Sequence, residues 1–253
     1  MNLPRTVDVL GLKYSVTDYK AATDLVLKAA HEKRHFSLYA LPVHGVIERR
    51  RDNEFAQACD SATMIVPDGQ PIRWMMNWLH DANLADRVYG PTLLRHVLLG
   101  PHTEEFRVYV YGGRTPAVQQ AFIDHIETTY TNVRVCGRYR EDSADVQTLT
   151  AAMVNATQPN LVLVGLGCPK QEKWIAQQQH DISAALMGVG AAFSFFSGDQ
   201  KTAPGWMQDF GLEWLFRLGQ EPRRLWQRYL YTNSLFVLLA IGALAKHTLG
   251  LKK

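Results

Sequence analysis

The sequence predicts an α/β fold, in which a mostly parallel sheet carries helices on both faces, followed by a helical C-terminal appendage. Two observations lead to this prediction. Strand-like apolar runs alternate with helix-like segments through most of the chain, and the pattern changes after Gly190, where aromatic and basic residues crowd together. A chain of 253 residues, 47% hydrophobic and 20% charged, can bury one large core. We expect a sheet domain over residues 1–195 and an appendage over residues 196–253.

The first half of the chain is expected to contain short strands separated by amphipathic helices. Residues 6–16 form one or two strands, and Thr17 or Asp18 caps a helix that reaches about Lys33. The later strands are expected at 36–43 and 62–69, and the later helices at 44–59, 70–79 and 90–99.

The same alternation continues in the second half, which is typical of strands joined by helical crossovers. Strands are expected at 106–113, 133–137, 161–167 and 183–190, and helices at 115–130, 143–157 and 170–179. The sequence contains neither an internal repeat nor a low-complexity linker.

The appendage combines a basic segment with an apolar run. From Trp214 onward the chain has seven Lys or Arg residues and one acidic residue, Glu221, and residues 234–245 carry no charge. This run is shorter than the roughly twenty residues that a spanning helix needs. We expect a helix lying on or dipping into a membrane, with its preceding arginines near lipid phosphates. A C-terminal helix packed on the core or on a partner subunit is the alternative.

Composition excludes several other classes. The net charge of +3 is too small to indicate a nucleic-acid partner. The three cysteines are odd in number and far apart, which fits a reducing cytoplasm rather than a disulfide framework or a zinc site. The N-terminal segment lacks an apolar stretch of signal-peptide length.

Polar groups and glycines follow several of the expected strands, where ligands bind in sheets of this kind. Asp68 follows an apolar strand and is either a helix N-cap or a general base. Gly112 and Gly113 allow backbone amides to approach a phosphate, although many tight turns need glycine for conformational reasons alone. Further candidates are Gly167, Lys170, Gln171 and Glu172 after one strand, and Gly190 after another.

Known nucleotide motifs are missing from the chain. It contains no GxGxxG, no GxxxxGK[ST] and no DxD pair, the last of which can hold a divalent ion. The segment from His31 to His35 fits the HExxH zinc pattern. However, His35 adjoins a strand, whereas a zinc site needs both histidines on a continuing helix.

The order of the motifs resembles the WecG/TagA/CpsF family of bacterial glycosyltransferases. The resemblance rests on VPDG, DRVYGPTLL, VYGG, VGLGCPKQEKW, GVGAAFSFFSG and GLEWLFRLGQEPRRLWQRY, which span about residues 60–230. It implies a Rossmann-like, metal-independent, inverting transferase without a cofactor. Such enzymes move a sugar from a nucleotide donor, usually a UDP-sugar, to a polyprenyl-diphosphate-linked sugar for surface polysaccharides. An exopolysaccharide-type member is expected, acting peripherally at the cytoplasmic face of the inner membrane as a monomer or a homo-oligomer.

The resemblance also implies roles for individual residues. Asp68 is the general base, and Gln171 with its neighbours contacts the nucleotide. The lipid diphosphate is faced by four arginines of the appendage, Arg217, Arg223, Arg224 and Arg228. Arg87 is a further phosphate contact or, equally, the member of an ion pair with Asp86 or a glutamate. Trp206, Trp214 and Trp226 belong either to an acceptor or membrane surface or to the packing of the appendage.

Several positions depart from the family pattern. Ala40 and Pro42 replace a Thr and an Asn, Ser194 replaces an Asp, and Thr202 replaces an Arg next to Lys201. His44 either compensates for the first pair or simply begins a helix. These departures leave donor identity open, and they mark either an exopolysaccharide branch with a different sugar or weakened catalysis. The changes at Ala40, Pro42 and Ser194 favour a rival class, a catalytically inactive protein that binds nucleotide sugars within an assembly complex.

Overall fold

The described part of the chain, residues 1–141 and 148–250 of a computed structural model, has the expected α/β architecture. A six-stranded sheet has the order β4-β3-β8-β7-β5-β6, and every neighbouring pair in it is parallel. Its strands are β3 (Phe36–Leu41), β4 (Met64–Pro67), β5 (Phe106–Gly112), β6 (Val133–Tyr139), β7 (Leu161–Gly165) and β8 (Ala185–Gly188). Their carboxyl ends therefore meet along one edge.

An N-terminal hairpin lies outside this sheet. Strands β1 (Thr6–Val9) and β2 (Leu12–Ser15) pair antiparallel with each other. The hydroxyl of Tyr14, which is fully buried, donates to the backbone carbonyl of Leu41 at 3.1 Å. The backbone amide of Asp68 donates to the same carbonyl at 3.4 Å. One carbonyl at the end of β3 thus connects the hairpin to the turn that follows β4.

Helices cover both faces of the sheet. Nine of them precede the appendage in the described ranges: α1 (Tyr19–His31), α2 (Val43–Arg49), α3 (Asn53–Ser61), α4 (Gln70–His80), α5 (Gly90–Leu98), α6 (Pro116–Thr129), α7 (Ala151–Ala156), α8 (Lys170–Gln178) and α9 (Ala192–Phe196). Asp18 caps α1 as predicted, with its side chain accepting from the amide of Ala21 at 2.8 Å.

Two helix predictions differ from the structure. The single helix expected over residues 44–59 is wrong, because Asp52 interrupts it and caps a new helix by accepting from the amide of Phe55 at 3.0 Å. The helix expected over residues 143–157 begins only at Ala151, where the side chain of Thr150 caps α7. Positions 143–147 of that prediction lie outside the described residues.

Each strand of the sheet sends alternate side chains to two apolar clusters. In β3, Phe36 and Leu38 belong to the cluster under α1, α5 and α6. Tyr39 and Leu41 belong to the cluster on the opposite face, which also includes the hairpin. Period-two burial on both faces is what a parallel sheet between two helical layers requires.

Three helices form the appendage, α10 (Gly205–Asp209), α11 (Glu213–Gln220) and α12 (Pro222–Thr248). Phe236 and Ala240 of α12 are buried in the second apolar cluster, so the helix packs on the sheet domain. By length and composition α12 could cross a membrane, and only a minority of its most apolar stretch is buried. The predicted boundary at residue 195 falls inside α9 and stays a prediction.

Candidate active site

A cavity of about 900 Å³ lies at the carboxyl edge of the sheet. The turns that follow all six strands contribute to its wall, as do α4, α11 and α12. This is the position at which ligands bind in open parallel sheets. Of the predicted site residues, the ones that line it are Asp68, Gly112, Gly113, Gly167, Gln171, Glu172, Gly190, Arg217, Arg224 and Arg228.

Asp68 lies in the cavity wall directly after β4. Its side chain is not the cap of the helix that follows, because Gly69 occupies the N-cap position of α4. Instead, the carboxylate faces the start of α5, where a Cβ placed on Gly90, the first residue of that helix, would lie 3.9 Å from Oδ2 of Asp68. Gly69 has a φ of +111°, a backbone conformation that residues other than glycine rarely adopt. Because the chain turns sharply at Gly69, the carboxylate of Asp68 borders the cavity and does not cap α4.

Burial raises the pKa of the Asp68 carboxyl from 3.8 to about 6. The charges of Arg87 and Arg217 and the amide of Gly90 oppose this increase. A carboxylate with a pKa near the working pH is suited to accept a proton during a reaction.

Two adjacent glycines form the turn after β5. Gly112 has a φ of +106°, and a Cβ placed on it would lie 2.7 Å from the carbonyl oxygen of Gly165 on β7. The backbone amide of Gly113 is bonded to that carbonyl at 3.3 Å. Glycine is required at position 112 because β5 and β7 end side by side, with Gly112 opposite Gly165, which brings backbone polar groups from both strand ends to the cavity.

Gln171 and Gly190, two predicted donor contacts, bind each other. The side-chain carbonyl of Gln171 accepts from the Gly190 amide at 3.1 Å. Its amide nitrogen donates to Oε1 of Glu172 at 2.8 Å. Gln171 therefore holds the turn after β8 in place, and its contact with a nucleotide stays a prediction.

Glu172 is fully buried although it borders the cavity. Its Oε2 has no hydrogen-bond partner within the ranges that the structure describes. Burial raises the pKa of this carboxyl from 4.5 to about 7. Lys170, in contrast, is exposed and lies outside the cavity lining. Roles for both residues in donor binding also remain predictions.

The appendage arginines divide into two groups. Arg217, Arg224 and Arg228 line the cavity, and Arg223 is exposed outside it. Nε of Arg217 and Nε of Arg228 are buried without hydrogen-bond partners in the described residues. Arg224 is ion-paired with Glu221. Unpartnered buried guanidinium nitrogens at a cavity are available to an anionic ligand.

Arg87 lies behind the cavity wall, where it is 4% exposed. It forms an ion pair with Glu213 of α11 and donates to the side chain of Gln208 at 3.0 Å. Of the two roles predicted for Arg87, the structure shows the ion pair. Its partner is Glu213 of the appendage, and the pair is buried rather than on the surface.

Some cavity residues were not recognised as candidates from the sequence. Trp74 and Trp78 of α4 line the cavity, and so does the buried Arg140, which donates to the carbonyl of Gly113. His44, which the sequence offered either as a compensation for the missing Thr and Asn or as a helix start, also lines the cavity. It is the second residue of α2, and its Nδ1 is buried without a hydrogen-bond partner in the described residues. Burial together with the charges of Arg228 and Arg51 lowers the pKa of His44 to about 4, so its imidazole is neutral near pH 7.

The positions that depart from the expected motif pattern have different locations. Ala40, Pro42 and Ser194 line the cavity, whereas Thr202 is exposed outside it. Of the appendage tryptophans, only Trp214 lines the cavity, and Trp206 and Trp226 are exposed.

The HExxH segment does not form a continuous helical site. Helix α1 ends at His31, and Nδ1 of His35 lies 3.0 Å from the carbonyl of Ile182. No group of three or more His, Cys, Asp or Glu residues suited to a metal ion occurs within residues 1–141 and 148–250.

Comparison with known proteins adds two findings. The profile of the glycosyl transferase WecG/TagA/CpsF family matches residues 7–249. Two similar proteins are N-acetylglucosaminyldiphosphoundecaprenol N-acetyl-beta-D-mannosaminyltransferases. The protein from Bacillus subtilis (strain 168) is 32% identical to this chain, and the aligned region covers 71% of this chain and 69% of the length of that relative. The protein from Bacillus spizizenii (strain W23) is 30% identical to this chain, and the aligned region covers 78% of this chain and 76% of the length of that relative.

Proposed function

Since the chain belongs to the WecG/TagA/CpsF family of glycosyltransferases, we propose that it transfers a sugar from a UDP-sugar to a polyprenyl-diphosphate-linked saccharide. The observation that carries this proposal is the composition of one cavity. Asp68 lies in it between glycine turns on the sheet side and three arginines on the appendage side. The names of the two Bacillus relatives support an N-acetylmannosaminyl donor and an N-acetylglucosaminyl-diphosphoprenol acceptor.

Asp68 acts as the general base in this proposal. The acceptor hydroxyl loses its proton to the carboxylate while its oxygen attacks the anomeric carbon, and the bond from that carbon to the UDP oxygen breaks. A single displacement of this kind inverts the anomeric centre. A pKa of about 6 keeps most Asp68 side chains ionised at neutral pH, yet still basic enough to take the proton.

The leaving diphosphate gathers negative charge that must be stabilised. The turns at Gly113 and Gly167 bring backbone polar groups to the cavity, and Arg217 adds a guanidinium near Asp68. The chain has no DxD motif, so we propose that these groups act without a divalent ion.

The lipid-linked acceptor enters from the appendage side. Arg224 and Arg228 lie on the helix that is apolar enough to enter a membrane, and diphosphate binding there places the acceptor sugar toward Asp68. We propose a peripheral position at the cytoplasmic face, where nucleotide sugars are available.

A transfer assay tests the function. The protein is incubated with a panel of UDP-sugars and a prenyl-diphosphate-linked N-acetylglucosamine, with and without EDTA, and products are identified by mass spectrometry and NMR. We expect UDP release only when both substrates are present, a product of inverted anomeric configuration, and full activity in EDTA. Donor binding without transfer would favour the noncatalytic class, and loss of activity in EDTA would overturn the metal-independent mechanism.

A further inference from the structure

Two helices extend the cavity away from Asp68. On α4 the lining residues Gln70, Trp74 and Trp78 follow one another at intervals of four. On α12 the lining stripe has the same spacing and contains Arg224, Arg228, Thr232, Phe236, Ala240 and Leu244. Residues four apart are neighbours on a helix surface, and all of these side chains border the same cavity. We call the apolar part of this space, bounded by Trp74, Trp78, Phe236, Val237 and Ile241, the α4–α12 groove.

The chemistry of the α12 stripe changes in one direction. It begins with the guanidinium groups of Arg224 and Arg228, continues with Thr232 and Asn233, and becomes wholly apolar from Phe236 onward. Arg228 and Leu244 are about 24 Å apart along the helix axis, at 1.5 Å per residue. The stripe therefore matches a long ligand with an anionic end and an apolar chain.

Three of the five side chains that bound the groove are exposed. Trp78 is 55% exposed, Val237 53% and Ile241 60%. The rings of Trp74 and Trp78 are stacked, with their centroids 6.1 Å apart. Exposed apolar surface costs roughly 25 cal/mol per Å², and contiguous patches of it mark binding sites.

We propose that the α4–α12 groove binds the first isoprene units of the acceptor's prenyl chain, in line with a diphosphate at Arg224 and Arg228. The inference rests on the proposed function, because it assigns the lipid part of the same acceptor. A prenyl chain joined to the acceptor sugar must leave the region of Asp68, and the groove is an apolar path that starts there.

Adjacent residues of α12 provide a matched pair of variants. Val237 lines the groove, whereas Leu238 is 67% exposed and lies outside the lining. Val237→Glu and Leu238→Glu each replace an exposed apolar side chain with a carboxylate, so both reduce the attraction of α12 for a membrane. Only the first change places a charge in the groove. Circular dichroism checks that both variants fold, and Val237→Ser serves as a milder second variant.

Binding of geranylgeranyl diphosphate and of inorganic diphosphate is measured by isothermal titration calorimetry. We expect the wild-type protein to bind the prenyl compound at least tenfold more tightly than inorganic diphosphate. Val237→Glu should reduce this preference at least tenfold, Val237→Ser should reduce it less, and Leu238→Glu should keep it within twofold.

Several results would overturn the inference. Equal affinity of the wild-type protein for both compounds would remove the groove as a prenyl site, and so would equal losses in the two glutamate variants. Displacement of the prenyl compound by an equal concentration of lysophosphatidylglycerol would instead identify a general acyl-chain site. The titration needs neither a sugar nor transfer, so its failure is distinguishable from failure of the proposed function in the transfer assay.

Discussion

The guanidinium of Arg87 and the carboxylate of Glu213 form an ion pair that joins the sheet domain to the appendage. Arg87 lies just before Val88, whose amide is bonded to the carbonyl of Pro67, the residue that precedes Asp68. The side chains are 4% and 16% exposed. The same short stretch of chain thus supports the turn carrying Asp68 and holds α11 in position.

Breaking this pair should destabilise the protein. Glu213→Gln leaves the buried charge of Arg87 without its carboxylate, and losses of about 3–5 kcal/mol are typical of such changes. The free energy of unfolding is measured by urea denaturation. Glu105→Gln is the matched control, because the Glu105–Arg107 pair is largely exposed and should contribute at most about 1 kcal/mol. Similar losses in the two variants would contradict the assignment of Arg87 as an interdomain connection.

Replacing Asp68 should abolish most of the transfer. Asp68→Asn keeps the size of the side chain but removes the base, so we expect kcat to fall at least about a hundredfold. Asp60→Asn, at an exposed ion pair with Arg49, should stay near wild-type activity. Near-normal turnover of Asp68→Asn would exclude Asp68 as the base.

The wild-type rate should depend on pH through the same residue. Burial raises the pKa of Asp68 to about 6, and only its ionised form accepts a proton. The value of kcat/KM should therefore rise as pH increases through about 6 and be lost below it. A steady-state profile that is flat across this range would rule out control by a carboxyl of raised pKa.

The buried Glu172 should make stability depend on pH. The pKa of its carboxyl is 4.5 in the unfolded chain and about 7 in the folded protein. Its contribution to the stability of the folded state is therefore complete below pH 4.5 and is lost as the pH rises through about 7. Glu172→Gln removes this ionisation. Its stability relative to the wild type should therefore be higher at about pH 8 than at about pH 5. Urea denaturation of both proteins at the two pH values measures the difference, and an equal difference at both would show that Glu172 ionises normally.

Two appendage arginines should differ in their effect on the acceptor. Arg228 lines the cavity with an unpartnered Nε, and Arg223 is exposed outside it. Arg228→Ala should raise the KM for lipid-linked acceptor at least tenfold, about 1.4 kcal/mol, and Arg223→Ala should change it less than twofold. The KM for the donor serves as the internal control. If both variants changed the acceptor KM equally, general attraction to a charged surface would explain the effect of the basic segment.

The sequence predicted the elements that bring the site together. Asp68, Gly113, Gly167 and Gly190 follow four separate strands, and the parallel sheet places all of those strand ends at one edge. This outcome needs only strand direction, which the alternation of strands and helices already implies.

The role of each polar side chain was harder to predict, because it depends on contacts between distant segments. Gln171 lies at the expected edge, but its partner Gly190 is nineteen positions away. Arg87 and Glu213 are farther apart still, and no local pattern links them. Among the arginines, helical periodicity could have separated Arg224 and Arg228, four apart on one face, from Arg223. The same spacing of Trp74 and Trp78 was the available indication of the groove.

The hydrogen bond from Tyr14 to the carbonyl of Leu41 connects the N-terminal hairpin to the wall of the active-site cavity. That carbonyl also receives the Asp68 amide, so the hairpin supports a residue more than fifty positions downstream. Shortened versions of the protein that start at the first long helix would lose this support. Affinity tags are better placed before Met1, because residues 1–3 are exposed whereas the Arg5 carbonyl already accepts from the Val16 amide at 2.9 Å.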